Sequence, residues 1–502
     1  ITKMNKYERI GRIFLWIFLA PYIIIRPLFI LLRWISKRRL TSRKVTTIGI
    51  LHPASRDGGG GERVLWYMIR SLQQVASSSS NKLKHPIKII IYCSEADKKS
   101  YESLPALIKR QFDIDIDIED LKLVRIRTRF LIDFFGKFPF TLALQSLASI
   151  YMGIEALLSF TPDIFIDTTG YAFTYPLANY VAGCFVAAYV HYPTISTDMF
   201  DKVSSQQSDF NNESSISSSP LKTSLKLIYY SIFRLFYGFV GHHANLVMVN
   251  SSWTRNHIAS LWHVDPSIVY PPVNVSHLCR FPIVSNSNDS TRLPQVISIG
   301  QFRPEKNHRL QISSFVQFLE FVHSKPSSPI FPHLHSLKLV LLGASRNSAD
   351  AARIADLRSF VDSHSSFAST FGHPLSDHIE FVINASYDTL ERRLSESLVG
   401  IHTMTDEHFG ICVVEYQAAG CVALAHNSAG PALDIVTKDS GFLARSSTEY
   451  ANCLETIFTM FFSSNPNSIF QIQRSGRQAS QRFTNEIFSS TLDHHMQSVL
   501  LN

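Results

Sequence analysis

Short runs of β-branched and aliphatic residues alternate along most of the chain with longer stretches that have helical spacing. Such runs are typical of strands buried on both faces, and their alternation with helices is typical of parallel sheets built from βα units. The runs fall into two series, which predicts an α/β protein with two Rossmann-like domains facing a cleft. In sheets of this kind, ligands bind at the carboxyl ends of the strands.

A segment rich in Pro, Ser and Asn, residues 271–294, separates the two series. The strands predicted for the first series are Val45–Leu51, Ile87–Tyr92, Leu121–Ile126, Ile164–Asp167, Cys184–Val190 and Leu246–Asn250. Those predicted for the second are Gln295–Gly300, Leu337–Gly343, His378–Val382, Leu398–His402 and Cys421–Ala425. The predicted divisions are an anchor at 1–44, domains at 45–275 and 295–480, a linker at 276–294, and a helix at 481–502 that is a candidate to pack back on the first domain.

Residues 13–35 are almost entirely apolar and, as a helix, would measure about 34 Å, enough for the hydrocarbon core of a bilayer. Arg26 opposes insertion, but the fifteen Leu, Ile and Phe residues of the segment outweigh it. The run is too long for a cleaved signal peptide, and no small-residue cleavage site follows it. Pro21 and Pro27 leave a re-entrant or interfacial segment open beside a spanning helix. The basic cluster after the segment predicts a cytosolic body.

A second apolar stretch, LKLIYYSIFRLFYGFV within 221–249, combines aromatic and aliphatic residues with Lys222, Lys226 and Arg234. This composition fits a helix that lies against a membrane surface. An ordinary core helix explains it equally well, so both interpretations stay open.

The charge is unevenly distributed. The net charge is +8, but residues 1–44 contain eleven Lys and Arg and one acid, so the rest of the chain is close to neutral. A near-neutral body argues against binding of nucleic acid. With 45% hydrophobic and 18% charged residues, the chain is not intrinsically disordered. Its six cysteines form no CxxC pair, which argues against a disulfide framework or a zinc site and favours a reducing compartment.

Four successive glycines, Gly58, Gly59, Gly60 and Gly61, follow the first predicted strand and precede a helix. Glycine lets a ligand approach the backbone N–H groups, and the amino terminus of a helix attracts anions. The segment lacks the pattern of a nicotinamide-binding or Walker A loop. It therefore predicts a cradle for a diphosphate, with a flexible linker as the alternative.

The second domain contains two further segments suited to an anionic ligand. Gly300–Asn307 follows its first strand, and Arg303 and Lys306 there are candidates to neutralise a nucleotide diphosphate. Ordinary surface charges are the alternative. In EHFGICVVE, a helix that begins near Gly410 would leave Glu407 in the preceding loop and Glu415 on the helix. The predicted phosphate contacts are the amides of Phe409, Gly410 and Ile411, with Asn427 in the turn NSAGP at the same edge.

Together these segments resemble the retaining, nucleotide-sugar-dependent glycosyltransferases of GT-B architecture. HPASRDGGGGERVLW, the His191 run HYPT, VMVNSSWTRNHI and IHTMTDEHFGICVVEYQAAG resemble more closely the GDP-mannose alpha-1,2-mannosyltransferases of the endoplasmic reticulum, which elongate a dolichyl-diphosphate-linked oligosaccharide in asparagine-linked glycosylation. The resemblance covers residue 45 to about residue 480. It implies that the first domain binds the acceptor and the second the nucleotide sugar.

The resemblance also implies residue roles. Glu407 would contact the transferred mannose and stabilise the oxocarbenium charge, and Glu415 would bind the ribose. Arg303 and Lys306 would bind the diphosphate, while Gly60 and Gly61 would face the donor phosphate or the acceptor. His191 would lie near the transferred sugar, although a core or capping histidine is its alternative. Gln301 stands where the wider family has arginine, and Arg303, two residues on, is the candidate to substitute for it.

The resemblance implies no metal and no cofactor, and it leaves leaving-group stabilisation to cationic side chains. The partners implied are GDP-mannose, the dolichyl-linked acceptor and the membrane, with other glycosyltransferases of the pathway as further candidates. The expected location is the endoplasmic reticulum membrane, with the body on the cytosolic face. Two alternatives remain: a membrane-bound GT-B enzyme with another donor or lipid acceptor, and an inactive membrane scaffold.

Overall fold

The computed structural model describes residues 45–78, 86–95, 98–204, 220–283, 292–463 and 467–500, with isolated residues 27, 30 and 31. The chain forms two compact units. The first contains the chain up to Asn250, Thr254–Tyr270 and the residues from Ser489 onward; the second contains Ser251–Trp253 and Pro271–Phe488. The predicted anchor at 1–44, apart from those isolated residues, lies outside the described residues.

The first unit is built on a parallel sheet of seven strands, in the order β3-β2-β1-β4-β5-β6-β7. Its strands are β1 (Thr46–Leu51), β2 (Ile87–Cys93), β3 (Leu121–Arg125), β4 (Ile164–Asp167), β5 (Phe185–Val190), β6 (Leu246–Val249) and β7 (Ser267–Ile268). The helices that begin in this unit are α1 (Gly60–Ser78), α2 (Lys98–Phe112), α3 (Phe130–Phe135), α4 (Thr141–Ser159), α5 (Thr197–Ser204) and α6 (Pro220–Gly241); α7 (Ser252–Trp262) follows β6.

The second unit contains a parallel sheet of six strands, in the order β10-β9-β8-β11-β12-β13. Its strands are β8 (Leu293–Ile299), β9 (Lys338–Gly343), β10 (Ile379–Ile383), β11 (Ser397–Ile401), β12 (Val422–His426) and β13 (Gly441–Ala444). Its helices are α8 (Val275–Leu278), α9 (His308–His323), α10 (Ser348–Asp362), α11 (Ser365–Phe371), α12 (Tyr387–Glu396), α13 (Ile411–Ala419), α14 (Ser447–Phe462) and α15 (Asn467–Ser480), and α16 (Asn485–Leu500) ends the described chain.

The prediction of two parallel α/β sheets is confirmed, and each predicted strand is present with its ends displaced by at most two residues. The burial pattern explains why apolar runs predicted these strands, since central strands such as β4 and β12 are buried along their whole length. Two edge strands, β7 and β13, were not predicted. The two residues of β7 are too few to show a period, and the four residues of β13 include no β-branched side chain.

The helix α6 has one side in the core, as the core-helix interpretation predicts, and another that is exposed. Tyr230, Phe233 and Tyr237 are buried in the core of the first unit. The opposite face is exposed and apolar, and it consists of Leu225, Ile228, Ile232, Leu235, Phe236 and Phe239. A purely soluble core helix would turn polar residues to this side, so the exposed apolar face requires another explanation.

Among the described residues one helix, α4, is long and apolar enough by length and composition to cross a membrane. Of its most apolar window, 39% is buried within the fold, and one helix of this kind is weak evidence of a span. The six cysteines are all free, as the lack of any short pairing predicts.

Candidate active site

The strand order of the second unit brings three loops together. The neighbours β8, β11 and β12 are parallel, so the segments that follow them, 300–307, 402–410 and 427–431, leave the same edge of the sheet. These three segments carry most of the predicted donor-binding residues of this unit, and the other two, Ile411 and Glu415, lie on α13 directly after the second segment. Their convergence at one edge is the arrangement in which open α/β sheets bind ligands.

Lys306 and Glu407 form the centre of this edge. The Lys306 ammonium lies 2.5 Å from Oε2 of Glu407, across 101 residues of sequence, and also 3.4 Å from the sulfur of Met404. His402, the first residue after β11, places its Nε2 3.1 Å from the same oxygen. The side chains are 24% exposed for Lys306, 14% for Glu407 and 4% for His402, so the charges are largely withdrawn from water without being sealed from a ligand.

The three groups set one another's protonation. Burial on its own would raise the pKa of Glu407, but the positive charge of Lys306 and the hydrogen bond from His402 outweigh it and hold that pKa well below its ordinary value. Burial would lower the pKa of Lys306, yet the Glu407 carboxylate outweighs it and the net shift is upward. Burial lowers the pKa of His402 despite the neighbouring carboxylate. At neutral pH the site therefore holds an ammonium, a carboxylate and a neutral imidazole.

The loop that carries Glu407 has little freedom. Gly410 caps α13 with φ of +102°, a region that favours glycine, and a side chain there would contact Pro431 and Val413. Gly430 donates its N–H to the Glu407 carbonyl at 2.9 Å, and a Cβ at Gly430 would lie 2.5 Å from the Phe409 carbonyl oxygen. The turn after β12 thus clamps the loop before α13.

The helix α13 begins at Ile411, close to the predicted start at Gly410, and the loop position of Glu407 and helical position of Glu415 are as predicted. The first N–H groups of a helix lack acceptors within it, which suits Gly410 and Ile411 for an anion. The Phe409 side chain is buried against Phe483 with ring centroids 5.3 Å apart. Phe409 therefore anchors the loop, and only its backbone is available as a ligand contact.

Arg303 and Asn427 both have hydrogen-bonding partners within the protein. The Arg303 guanidinium pairs with Glu305 at 2.6 Å and is 46% exposed. The Glu305 carboxylate therefore competes with a phosphate for the N–H donors of this guanidinium. Asn427 follows β12 at the same edge as Lys306, and its carbonyl accepts a hydrogen bond from Arg445 at 3.1 Å.

In the first unit, the glycine-rich loop is organised by an acid within it. Gly59 donates its N–H to Oε2 of Glu62 at 2.7 Å, which is the reciprocal half of a capping box at the start of α1. The other oxygen of Glu62 lies 3.4 Å from His52, whose Nδ1 is 2.7 Å from Thr168 Oγ1. The Gly59 amide is thus already occupied, which leaves the amides of Gly60 and Gly61, the first residues of α1, as the remaining candidates for the predicted anion contact. Gly58 has φ of +77°, in the left-handed region that favours glycine.

His191 meets this loop. It is the first residue after β5, and a Cβ built on Gly61 would lie 3.7 Å from its Nε2. Asn250 holds the His191 carbonyl at 2.9 Å, and the Tyr189 ring lies 4.9 Å from the imidazole between centroids. The structure therefore brings together Gly61 and His191, which are 130 positions apart.

Three polar residues of these two groups were not assigned from the sequence: His52, Glu62 and His402. Each has a signal that could have found it. His52 and His402 are the first residues after buried strands, where side chains reach a ligand edge, and Glu62 stands three residues after a glycine at a helix start. Within the described ranges, no group of three or more His, Cys, Asp or Glu side chains is arranged to hold a metal ion.

Two family models match the chain, one in each half. Residues 45–262 match the family model "ALG11 mannosyltransferase N-terminus", and residues 283–459 match "Glycosyl transferases group 1". Among solved structures, sucrose-phosphate synthase from Thermosynechococcus elongatus superimposes with a TM-score of 0.59 at 14% identity, covering 90% of this chain and 99% of that one. A glycosyltransferase from Rickettsia africae gives 0.55 at 15% identity, covering 91% and 99%. These neighbours show the GT-B fold.

Curated relatives show the family. The human GDP-Man:Man(3)GlcNAc(2)-PP-Dol alpha-1,2-mannosyltransferase is 42% identical over 88% of this chain and 85% of its own length. The enzyme of the same name from Dictyostelium discoideum is 41% identical over 91% and 84%. The chain belongs to the GDP-Man:Man(3)GlcNAc(2)-PP-Dol alpha-1,2-mannosyltransferase family and is a glycosyltransferase of GT-B fold.

Proposed function

We propose that this enzyme transfers mannose from GDP-mannose, with retention and in alpha-1,2 linkage, to a dolichyl-diphosphate-linked oligosaccharide. The observation that carries the proposal is the partly buried Lys306–Glu407 pair at the ligand edge of the second unit. A diphosphate leaving group needs positive charge as it departs, and a sugar that becomes oxocarbenium-like needs negative charge beside it. The pair supplies one charge of each sign within a few ångströms.

In the proposed reaction, the bond between the mannose C1 and the donor phosphate oxygen breaks, and a bond forms between C1 and the acceptor oxygen on the same face. The proton of the acceptor hydroxyl passes to the departing phosphate. Lys306 and the amides of Gly410 and Ile411 stabilise the phosphate charge, and Arg303 joins them after leaving Glu305. Glu407 stabilises the positive charge on the sugar, Glu415 binds the ribose, and Asn427 lies beside the phosphate or sugar. No metal enters this scheme, because the cations of the chain do that work.

We assign the acceptor side to the first unit. Gly60 and Gly61 are the first residues of α1, and a Cβ added to Gly61 would lie 3.7 Å from Nε2 of His191. A glycine at this position lets a sugar or phosphate come within hydrogen-bond distance of the backbone, whereas a larger residue would fill the space beside the imidazole. His191 is therefore proposed to contact the transferred sugar.

The donor assignment is tested by supplying the purified protein with a diphosphate-lipid oligosaccharide and either GDP-mannose or UDP-linked sugars. We expect mannose transfer from GDP-mannose, unchanged by chelators. Digestion of the product with a linkage-specific mannosidase establishes the linkage. Transfer from a UDP-sugar but not from GDP-mannose would refute the donor assignment, and transfer to a lipid that lacks the diphosphate would refute the acceptor assignment.

We further propose that the apolar face of α6 lies against the endoplasmic reticulum membrane, on the cytosolic side, where the acceptor lipid resides. The helix contains no acidic residue, and Lys222 and Arg234 are exposed on it. The ring of Phe140, at the start of α4, packs on Tyr229 of α6 with centroids 5.3 Å apart, so the exposed aromatic surface continues beyond one helix. Aromatic residues flanked by cations suit a headgroup boundary with anionic lipid.

Introducing charge into this face should separate membrane-dependent from membrane-independent activity. For the double variant Leu235→Glu, Phe239→Glu, we expect transfer to an acceptor embedded in anionic vesicles to fall by about tenfold or more, since two exposed apolar side chains lose their burial in lipid. Transfer to a short-chain acceptor in detergent should be unchanged. Tyr387→Glu, at a half-exposed position of the second unit, is the matched control. If the double variant kept wild-type activity in the vesicle assay as well as in detergent, the proposed contact would be contradicted.

A further inference from the structure

The carboxylate of Glu407 is held from one side only. Lys306 Nζ and His402 Nε2 both contact Oε2, at 2.5 and 3.1 Å. Within the described residues, no hydrogen bond reaches Oε1. A carboxylate has lone pairs on both oxygens, so this arrangement leaves one complete oxygen for a ligand.

The backbone of His402 is fixed on both sides, which explains how its ring can direct a neighbour. Its N–H donates to the Leu424 carbonyl at 2.9 Å in continuation of the sheet. Its carbonyl accepts a hydrogen bond from the buried Tyr450 hydroxyl at 2.8 Å. With the backbone pinned and the side chain 4% exposed, the imidazole has little room to choose another orientation.

The protonation of the ring follows from its surroundings. Burial lowers the pKa of His402, and Lys306 acts in the same direction, whereas Glu407 opposes them. A neutral imidazole has a single N–H, and a carboxylate only accepts, so that N–H is at Nε2. His402 therefore contributes a hydrogen bond to Glu407 without adding a second positive charge that would compete with Lys306.

We propose that His402 is a positioning residue for sugar transfer: with Lys306 it binds Oε2 of Glu407, so that Oε1 is presented to a hydroxyl of the transferred sugar. The inference rests on the proposed role of Glu407 and adds His402, a residue that acts on Glu407 and does not itself touch the ligand. Lys306 alone is a point charge at the end of a flexible chain, and it can follow the carboxylate through a range of orientations. The N–H of His402, whose backbone is fixed at the end of β11, donates from one position and so restricts the orientation of the carboxylate.

The test compares two replacements of His402 in the full-length enzyme. His402→Phe keeps the ring volume and removes the donor, and we expect kcat for transfer from GDP-mannose to fall about 10- to 100-fold, with the KM for the donor changed less than about threefold. His402→Gln restores an N–H donor at similar reach, and we expect kcat within about fivefold of the wild type. His378→Phe, which replaces another buried histidine whose Nδ1 bonds to the Leu337 carbonyl, should leave kcat unchanged.

A pH profile adds a readout that packing alone would not move. Without the His402 donor, the pKa of Glu407 rises, so the acidic limb of kcat/KM should move to higher pH in His402→Phe and stay in place in His402→Gln. Wild-type kcat in His402→Phe, or equal loss in both variants, would overturn the inference. If the phenylalanine variant does not fold, His402→Met takes its place with the same two outcomes. Absence of transfer by the wild-type enzyme would instead refute the proposed function.

Discussion

We expect Glu407→Gln to lower kcat for mannose transfer by about 10²- to 10³-fold, the loss typical of removing one preorganised electrostatic contact to a transition state. Glutamine preserves the shape of the side chain but cannot oppose the positive charge that develops on the sugar. It also leaves the ammonium of Lys306 without its partner at 2.5 Å. The measurement is single-turnover transfer from GDP-mannose at saturating donor, with thermal unfolding recorded in parallel.

The matched control is Glu455→Gln. Glu455 pairs with Lys325 at 2.6 Å in the same unit, but Lys325 is 53% exposed, and such surface pairs contribute little. We expect its kcat to equal that of the wild type. If Glu407→Gln kept more than about a third of wild-type kcat in a folded protein, Glu407 would have no catalytic role.

The same variant carries a pH signature. Because the folded state lowers the pKa of Glu407, its ion pair contributes stability above the ordinary pKa of a glutamate, and that contribution disappears as the pH falls through the lowered value. The wild-type second unit should therefore lose stability on acidification below the ordinary glutamate pKa. The Gln variant lacks this component, so its unfolding temperature should depend less steeply on pH over the same window.

Gly430→Ala should destabilise the second unit by about 1–3 kcal/mol and lower transfer activity more than tenfold, as overpacking at a rigid contact does. The φ of Gly430 is −54°, which alanine adopts readily, so backbone conformation is not the obstacle. The added Cβ would lie 2.5 Å from one backbone carbonyl and 2.6 Å from another, those of Phe409 and His408. Relief requires the loop that carries Glu407 to shift.

Gly372→Ala is the converse control. Gly372 has φ of +77°, and no atom lies within 4 Å of a Cβ added there. Alanine at this position meets backbone strain of about 1–2 kcal/mol and no clash. Chemical denaturation and transfer assays should show Gly372→Ala to be somewhat less stable but fully active. A Gly430→Ala variant with normal activity would show that the clamp does not govern the Glu407 loop.

Much of the fold can be predicted from the sequence because most strands are buried. Runs such as β2 and β12 are apolar at nearly every position, and the glycine and polar residues that follow them mark the ligand edge. The start of α13 was predicted from a glycine that turns out to require a positive φ. A signal of this kind depends only on local backbone geometry, so it can be used without knowing the tertiary contacts.

Two kinds of contact could not be predicted from the sequence: those between residues far apart along the chain, and those in which a neighbouring side chain takes a donor expected to bind the ligand. Nothing local indicates that Lys306 reaches Glu407, because the contact depends on β8 and β11 being neighbours in the sheet. The predicted phosphate contacts at Gly59 and Arg303 find nearer partners in Glu62 and Glu305, each within three positions. A carboxylate in the loop competes for the same donor as the ligand, and only geometry decides between them.

The two sheets share one strand order. Removal of the short edge strand β7 leaves β3-β2-β1-β4-β5-β6, and β10-β9-β8-β11-β12-β13 repeats it position by position. The glycine loop after β1 corresponds to the Lys306 loop after β8, and His191 after β5 corresponds to Asn427 after β12. The halves thus differ in the chemistry of equivalent loops and not in the scaffold. A lineage that exchanged loops at these positions would acquire a new donor or acceptor while its folding core stayed untouched.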